Sequence, residues 1–342
     1  MPEDKEITIY DIARHLNISA TTVSRGLKDH PAINKNTRRK IAEAARFLGY
    51  RSNTFASSLR SKKTHTLGVI VPRLNSYFMS SVLAGMEKAA SQENYNLIIS
   101  QSLESSEKEI ANAHTMFNKR VDGLLVSLAY DTENIDHFTP FFKKKIPVVF
   151  FDRIFPNNDS TSVVIDNYQA AYDATKHLID QGCKRIMHLG GNRLRNVYSD
   201  RIRGYKQALK DHHIPIDEKK WLIIDKLNEE AGARAADHIL KMSKMPDGVF
   251  ASNDTAAVFC MMKLKAAGVR IPKDISFVGF NNDPIARIVE PNLTTINYSG
   301  YDIGQAAVSS LISHLEGVTN IRTTNLIILR ADLVIRGSSL KK

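Results

Sequence analysis

The sequence predicts an α/β chain in two parts, a small three-helix head followed by two doubly wound lobes on parallel sheets. Three observations carry this. Apolar residues in the first fifty positions recur at helical spacing between good capping residues. From Leu67 onward, short apolar runs alternate with helical stretches, as in parallel sheets with crossover helices. Those runs number about ten, more than one ordinary sheet holds. The length of 342 residues, with 43% hydrophobic and 24% charged residues, suits a soluble globular chain of two or three compact units.

In the head, Thr8 can cap a first helix, with Asp11 placed three residues on as in a capping box. Ile9, Ile12, Ala13 and Leu16 give that helix one apolar face. Asn17 tolerates the left-handed backbone of a tight turn. Ser19 is a second N-cap, opening a helix from about Ala20 to Leu27. Val23 and Leu27 turn inward, which leaves Ala20, Thr21, Ser24 and Arg25 outside. A third helix follows Asn34, with Ile41, Ala44, Ala45 and Leu48 as its stripe and Gly49 as its stop. Two short helices joined by a short turn make a helix-turn-helix.

Charge fits either a polyanion partner for this piece or a solvated basic surface, and the pattern of the segment decides between them. Residues 1–63 hold 13 Lys/Arg against 6 Asp/Glu, while the whole chain carries a net charge of +11. Most of the excess therefore sits on the first fifth of the chain. Arg25 has the planar fork that suits the O6/N7 edge of guanine. Thr21 offers a hydroxyl or a methyl, and Ala20 can touch only a thymine methyl. The blander reading pairs Arg25 with a phosphate or a neighbouring carboxylate. Thr37, Arg38, Arg39 and Lys40, at the start of the third helix, can meet phosphate.

The lobes are read from their strands. A first set is Leu67–Pro72, Tyr95–Ser100, Val121–Leu128 and Ile146–Phe151. A second is Ser162–Ile165, Arg185–Leu189, Leu222–Asp225, Gly248–Ala251 and Ile275–Phe280. Helices such as Phe78–Gln92, Tyr168–Gln181, Ile202–His212 and Thr255–Ala267 separate them. The break falls near Asp159–Asp166, and segments near Leu293–Asn297 and Leu326–Ile335 return across both lobes. The expected division is a head over 1–52, a hinge and linker over 53–63, and a core over 64–342. Within the core, the N-lobe spans about 64–162 plus 293–322, and the C-lobe about 163–292 plus 323–342.

In doubly wound folds, ligands bind beyond the carboxyl ends of the strands. The ends here are Asn75–Phe78, Ser100–Ser102, Ser127, Asp152–Arg153, Asp166, Asn253–Asp254 and Asn281–Asp283. Carboxylates accept from hydroxyl pairs, while Arg and Asn donate to hydroxyls and ring oxygens, so the chemistry suits a polyol. Tyr77, Phe78 or Phe280 can cover the apolar side of a sugar. Each has a duller reading: Asp152 with Arg153 as an ion pair, Asn253 as a helix cap, the aromatics as core. Arg193 and Arg195, in the loop Gly190–Val197, raise the variant of a carboxylated or phosphorylated sugar.

The run Ile9-Tyr10-Asp11-Ile12-Ala13, then Ser19 through Thr22-Val23-Ser24-Arg25, then Thr37-Arg38 and Leu48-Gly49-Tyr50, resembles the lactose-repressor (LacI/GalR) family of bacterial transcription regulators. Asn53 through Leu59, and the close Asp332 to Ser339, match it as well. The resemblance implies that Ala20, Thr21 and Arg25 face base edges, within a DNA contact set of Thr8, Ser19, Ala20, Thr21, Thr22, Ser24, Arg25, Thr37, Asn53, Ala56 and Leu59. It implies that residues 53–60 form a hinge helix whose Leu59 wedges into the minor groove. It implies a core like periplasmic sugar-binding proteins, with Asp152 as an acidic ligand contact, Arg201 as an arginine near the start of a C-lobe helix and Asn253 as a hydroxyl-binding amide. Together with the strand ends, the expected effector contacts are Tyr77, Phe78, Ser127, Asp152, Arg153, Arg201, Leu227, Asn253 and Asn281. Asn17 replaces the family's usual Gly. Leu227 falls where relatives carry a stacking aromatic, and Asn281 where many carry Asp.

The expected partners are thus a near-palindromic double-stranded operator, a sugar or sugar acid or phosphate as effector, and a second copy of the chain, with no cofactor. An enzyme reading lacks its signatures, since no phosphate-binding loop, H-E-x-x-H, C-x-x-C or G-x-S-x-G occurs. A free sugar-transport receptor would need a signal peptide, and the acidic start MPEDKEITIYD has no apolar core for one. Cys183 and Cys260 lie far apart and fit reduced thiols, and no apolar run is long enough to span a membrane. The reading is a cytoplasmic regulator.

Overall fold

The computed structural model describes residues 7–50, 63–156, 160–320 and 326–341. The chain divides into two compact units, Met1–Thr64 and His65–Lys342. The expected hinge positions Asn53, Ala56 and Leu59 lie outside the described residues.

The head forms helices Ile9–Leu16, Ala20–Gly26 and Lys35–Phe47. Their ends follow from the local residues. Thr8 and Asp11 form a reciprocal capping box. Asn17 takes φ 54°, which turns the chain toward the next helix. The Ser19 hydroxyl accepts from Thr22 N, and the Asn34 amide oxygen accepts from Thr37 N. Ile12, Val23, Ile41, Ala44 and Ala45 close the small core. Gly26 permits the tight approach of the second and third helices, since a β-carbon there would lie 2.3 Å from Ile41 Cδ1.

The larger unit holds twelve described strands in two sheets. The first sheet contains β1 (Thr66–Val71), β2 (Asn96–Gln101), β3 (Gly123–Val126), β4 (Val148–Phe151), β5 (Ser162–Ile165) and β11 (Leu326–Leu329), in the order β11-β5-β4-β3-β1-β2. The second contains β6 (Ile186–Gly190), β7 (Leu222–Ile224), β8 (Gly248–Ala251), β9 (Ser276–Phe280), β10 (Thr294–Asn297) and β12 (Asp332–Val334), in the order β12-β10-β9-β8-β6-β7. The described pairings are parallel except β10 with β12. Most of these strands are buried along their length, which is why they read as continuous apolar runs.

The lobe boundaries differ from the sequence expectation. Ser162–Ile165 pairs with β4 and β11 in the first sheet, not the second. Thr294–Asn297 belongs to the second sheet, and Leu326–Leu329 to the first. The physical reason is that a fully buried parallel strand looks alike in either lobe, so its partner is a tertiary choice. The return of Leu326–Ile335 across both lobes is as expected, split into β11 and β12. The N-lobe is completed by helix Gly300–Leu315, which packs on helix Tyr77–Gln92. Gly304 lets the two come close, because its β-carbon would lie 2.0 Å from the Val82 carbonyl oxygen.

Candidate functional site

On the head, the expected DNA contacts are not equally open. Thr8, Ser19, Thr21 and Arg25 are exposed, while Ala20, Thr22, Ser24 and Thr37 are half-buried. Ala20, expected outside, packs against the head core because it begins its helix beside Ile18. The Ser19 and Thr22 hydroxyls bond each other at 2.8 Å. The Arg25 side chain makes no ion pair or hydrogen bond among the described residues.

In the larger unit, a cavity of about 560 Å³ opens between the carboxyl ends of the two sheets. Of the expected effector contacts, Tyr77, Phe78, Asp152, Arg153, Arg201, Leu227, Asn253 and Asn281 stand in its wall. Ser127 does not. It lies behind Asp152, to which its hydroxyl donates at 3.5 Å. Ser100–Ser102 and Asp166 are likewise outside the wall, and Asp166 caps the helix Asn167–Asp180 instead.

Asp152 follows β4 with φ 56°, a left-handed backbone that is uncommon for a residue with a β-carbon. Tyr298 donates to its Oδ1 at 3.0 Å. Burial raises the Asp152 carboxyl above its ordinary range, against the pull of Arg153 and Arg201. Burial and the Asp152 charge push the Tyr298 phenol well up, so it stays a donor. Arg153 pairs with Glu104 at 2.7 Å and lies 4.4 Å over the Tyr130 ring. The ion pair of the duller reading thus exists, but with Glu104 rather than Asp152.

Arg201 stands in helix Asn196–Asp211, which begins six residues earlier than expected. Its Nε donates to Asn167 Oδ1 at 2.9 Å and its Nη1 to the Ser252 carbonyl at 2.7 Å. The Phe280 ring lies 3.5 Å beneath its guanidinium, so Phe280 supports Arg201 and is not in the cavity wall. Asn253 caps its helix through Ala256 N and also donates to the Leu227 carbonyl at 2.7 Å. Asp254 is buried behind the wall, accepting from Thr295 and Asp283 N. Arg193 pairs with Glu218 on the surface, and Arg195 is buried, donating to the Thr132 carbonyl. Neither Arg193 nor Arg195 lines the cavity.

Sequence reasoning missed Tyr130, Tyr198, Glu104 and Tyr298. Tyr198 was within reach, since it precedes Arg201 by three residues and shares its helix face. Tyr298 follows β10 and obeys the same strand-end rule that selected Asp152.

Beneath Arg201, His188 is fully buried, with Nδ1 3.0 Å from the Phe250 carbonyl. Burial lowers its pKa to about 3. The folded chain therefore refuses a proton that the unfolded chain takes up near 6.5. Stability should fall as pH drops from 6.5 toward 3, by roughly 1.4 kcal/mol per pH unit from this group. Denaturant melts across that range should lose this slope in His188→Phe; an unchanged slope would assign it elsewhere.

A family model described as bacterial regulatory proteins, lacI family, matches residues 8–53. A periplasmic binding protein-like domain matches residues 175–339. Catabolite control protein A of Priestia megaterium is 33% identical over 92% of this chain and 94% of its own. The chain belongs to the LacI family. A transcriptional repressor, PurR, of Klebsiella pneumoniae is 31% identical over 90% of both chains. The lac repressor dimer bound to operator and the anti-inducer ONPF superposes with a TM-score of 0.87, at 23% identity over 98% of this chain and 100% of that one. Membership makes this LacI-family chain a DNA-binding transcription regulator, not an enzyme. No described helix is long and apolar enough to cross a membrane.

Proposed function

We propose that this chain is a cytoplasmic, homodimeric repressor that binds a near-palindromic operator through its head and a sugar or sugar-derived effector in its cleft. Residues 1–52 act as the head, 53–63 as the connection and 64–342 as the receptor. The observation that carries the reading is the pairing, in one chain, of an exposed Arg25 that has no side-chain partner among the described residues with a cavity walled by Asp152 and Arg201. A two-fold dimer presents two such helices to two half-sites. Asp152, Asn253 and Asn281 suit hydroxyl groups, and Tyr77 and Phe78 offer apolar faces. A sugar acid or phosphate is a second form of the same reading. It is favoured by Arg201, which has no ion-pair partner among the described residues. Effector and operator affinities are then linked reciprocally.

The DNA half is tested at Arg25. Arg25→Ala should cost ~1–3 kcal/mol on the operator and relax preference at one base pair per half-site. Binding to operator and to random duplex, measured side by side, decides it: equal losses would make Arg25 a phosphate contact only. The effector half is tested by thermal melts of the chain with D-glucose, D-galactose, D-ribose, D-gluconate and D-glucose 6-phosphate.

A further inference from the structure

Asp152 and Arg201 reach the cavity from different lobes, and one side chain outside the wall joins the segments that carry them. Asn196 is the first residue of the helix Asn196–Asp211, so it shares a rigid element with Arg201. Its Nδ2 donates to the Asp152 carbonyl at 3.0 Å, and its Oδ1 accepts from Ile154 N at 2.9 Å. The amide thus meets the 152–154 backbone as a neighbouring strand would, with one donor and one acceptor in register. That backbone needs holding, because Asp152 sits at φ 56° and a left-handed non-glycine residue persists only where its surroundings enforce it. Two further bonds, Asp152 N to the Val163 carbonyl and Leu128 N to the Arg153 carbonyl, come from the N-lobe itself. Asn196 supplies the ones that cross the cleft. Tyr198 also crosses, but it meets the Arg153 side chain and not the backbone bearing Asp152. On the other side, Asn167 and the Ser252 carbonyl tie Arg201 to the C-lobe.

We propose that Asn196 is a positioning residue for the effector site: its amide holds Asp152 in its left-handed conformation and in register with Arg201 across the cleft. This role rests on the reading of the cleft as an effector site, and its test separates the two. In the full chain, Asn196→Ala should speed hydrogen exchange at the Ile154 amide, while Asn196→Asp keeps the acceptor and should leave that amide protected. Distant strands such as β8 serve as the internal control for general destabilisation. Unchanged exchange at Ile154 in Asn196→Ala overturns the proposal, whatever the cleft binds.

The second readout is calorimetry with whichever of the five sugars named above binds the parent chain. Asn196→Ala and Asn196→Asp should each weaken it about tenfold, the scale of one or two neutral hydrogen bonds. In an Asp152→Asn background the same changes should add little further loss, since Asn196 acts through Asp152. Fully additive losses would make Asn196 a structural residue only. If none of the five binds the parent chain, the sugar reading fails by that result, and the exchange experiment alone decides for or against Asn196.

Discussion

A fragment beginning at Thr64 should lose operator binding altogether while keeping its fold and its effector response. The head and the receptor are separate compact units, and each has its own closed core. The head core is built from its own three helices, with Ile12, Val23 and Ile41 fully buried. Among the described residues, the receptor's two sheets take every strand from beyond His65. Removing the head also removes much of the positive charge, which supplies the sequence-independent part of DNA affinity. The loss should therefore extend to random duplex at low salt, and not only to the operator. Circular dichroism and thermal melts of the fragment check the fold, and anisotropy with labelled operator checks the binding. Retained operator affinity in the fragment would overturn the assignment of DNA binding to the head.

What was legible in the sequence was mostly local. Thr8, Asn17, Ser19 and Asn34 act within three or four residues of themselves, so their capping and turning roles are written beside them. The strand-end rule found Asp152, Asn253 and Asn281 for a similar reason, because where a strand stops is a local property. What was not legible depends on partners far along the chain. Ser162–Ile165 is an apolar run that either sheet could have taken, and its placement follows from β4 and β11, the latter some 160 residues away. Ser127 stands at a strand end, yet the Asp152 side chain lies between it and the cavity. Arg195 reads as a loop cation, but the N-lobe carbonyl of Thr132 draws it inside. Phe280 reads as a sugar platform and is instead the floor under Arg201.

Asp152→Asn should abolish most of the effector-induced rise in melting temperature while leaving the unliganded chain as stable as its parent. A ligand that binds only the folded chain stabilises it by mass action, ~2.7 kcal/mol at a hundredfold excess over Kd, which amounts to several degrees. One ligand touching both Asp152 and Arg201 bridges the lobes, so losing either contact should remove much of that gain. The unliganded prediction follows from the site itself. Burial disfavours the ionised Asp152, and an amide of the same shape removes that cost while its oxygen still accepts from Tyr298. Arg201 needs a gentler change. Truncation to alanine would leave Asn167 Oδ1 and the Ser252 carbonyl without their donor, at about 1–3 kcal/mol of stability unrelated to any ligand. Arg201→Lys keeps a charge and a donor on a flexible stem of similar reach but loses the flat fork, so it should weaken the effector response more than the fold. If the two residues were instead structural ions, the pattern would reverse. Each substitution would lower the melting temperature without ligand, and the shift on adding the sugar would survive. Melting curves of both variants, with and without the sugar that stabilises the parent, separate the outcomes. A preserved ligand shift in Asp152→Asn removes Asp152 from the effector site.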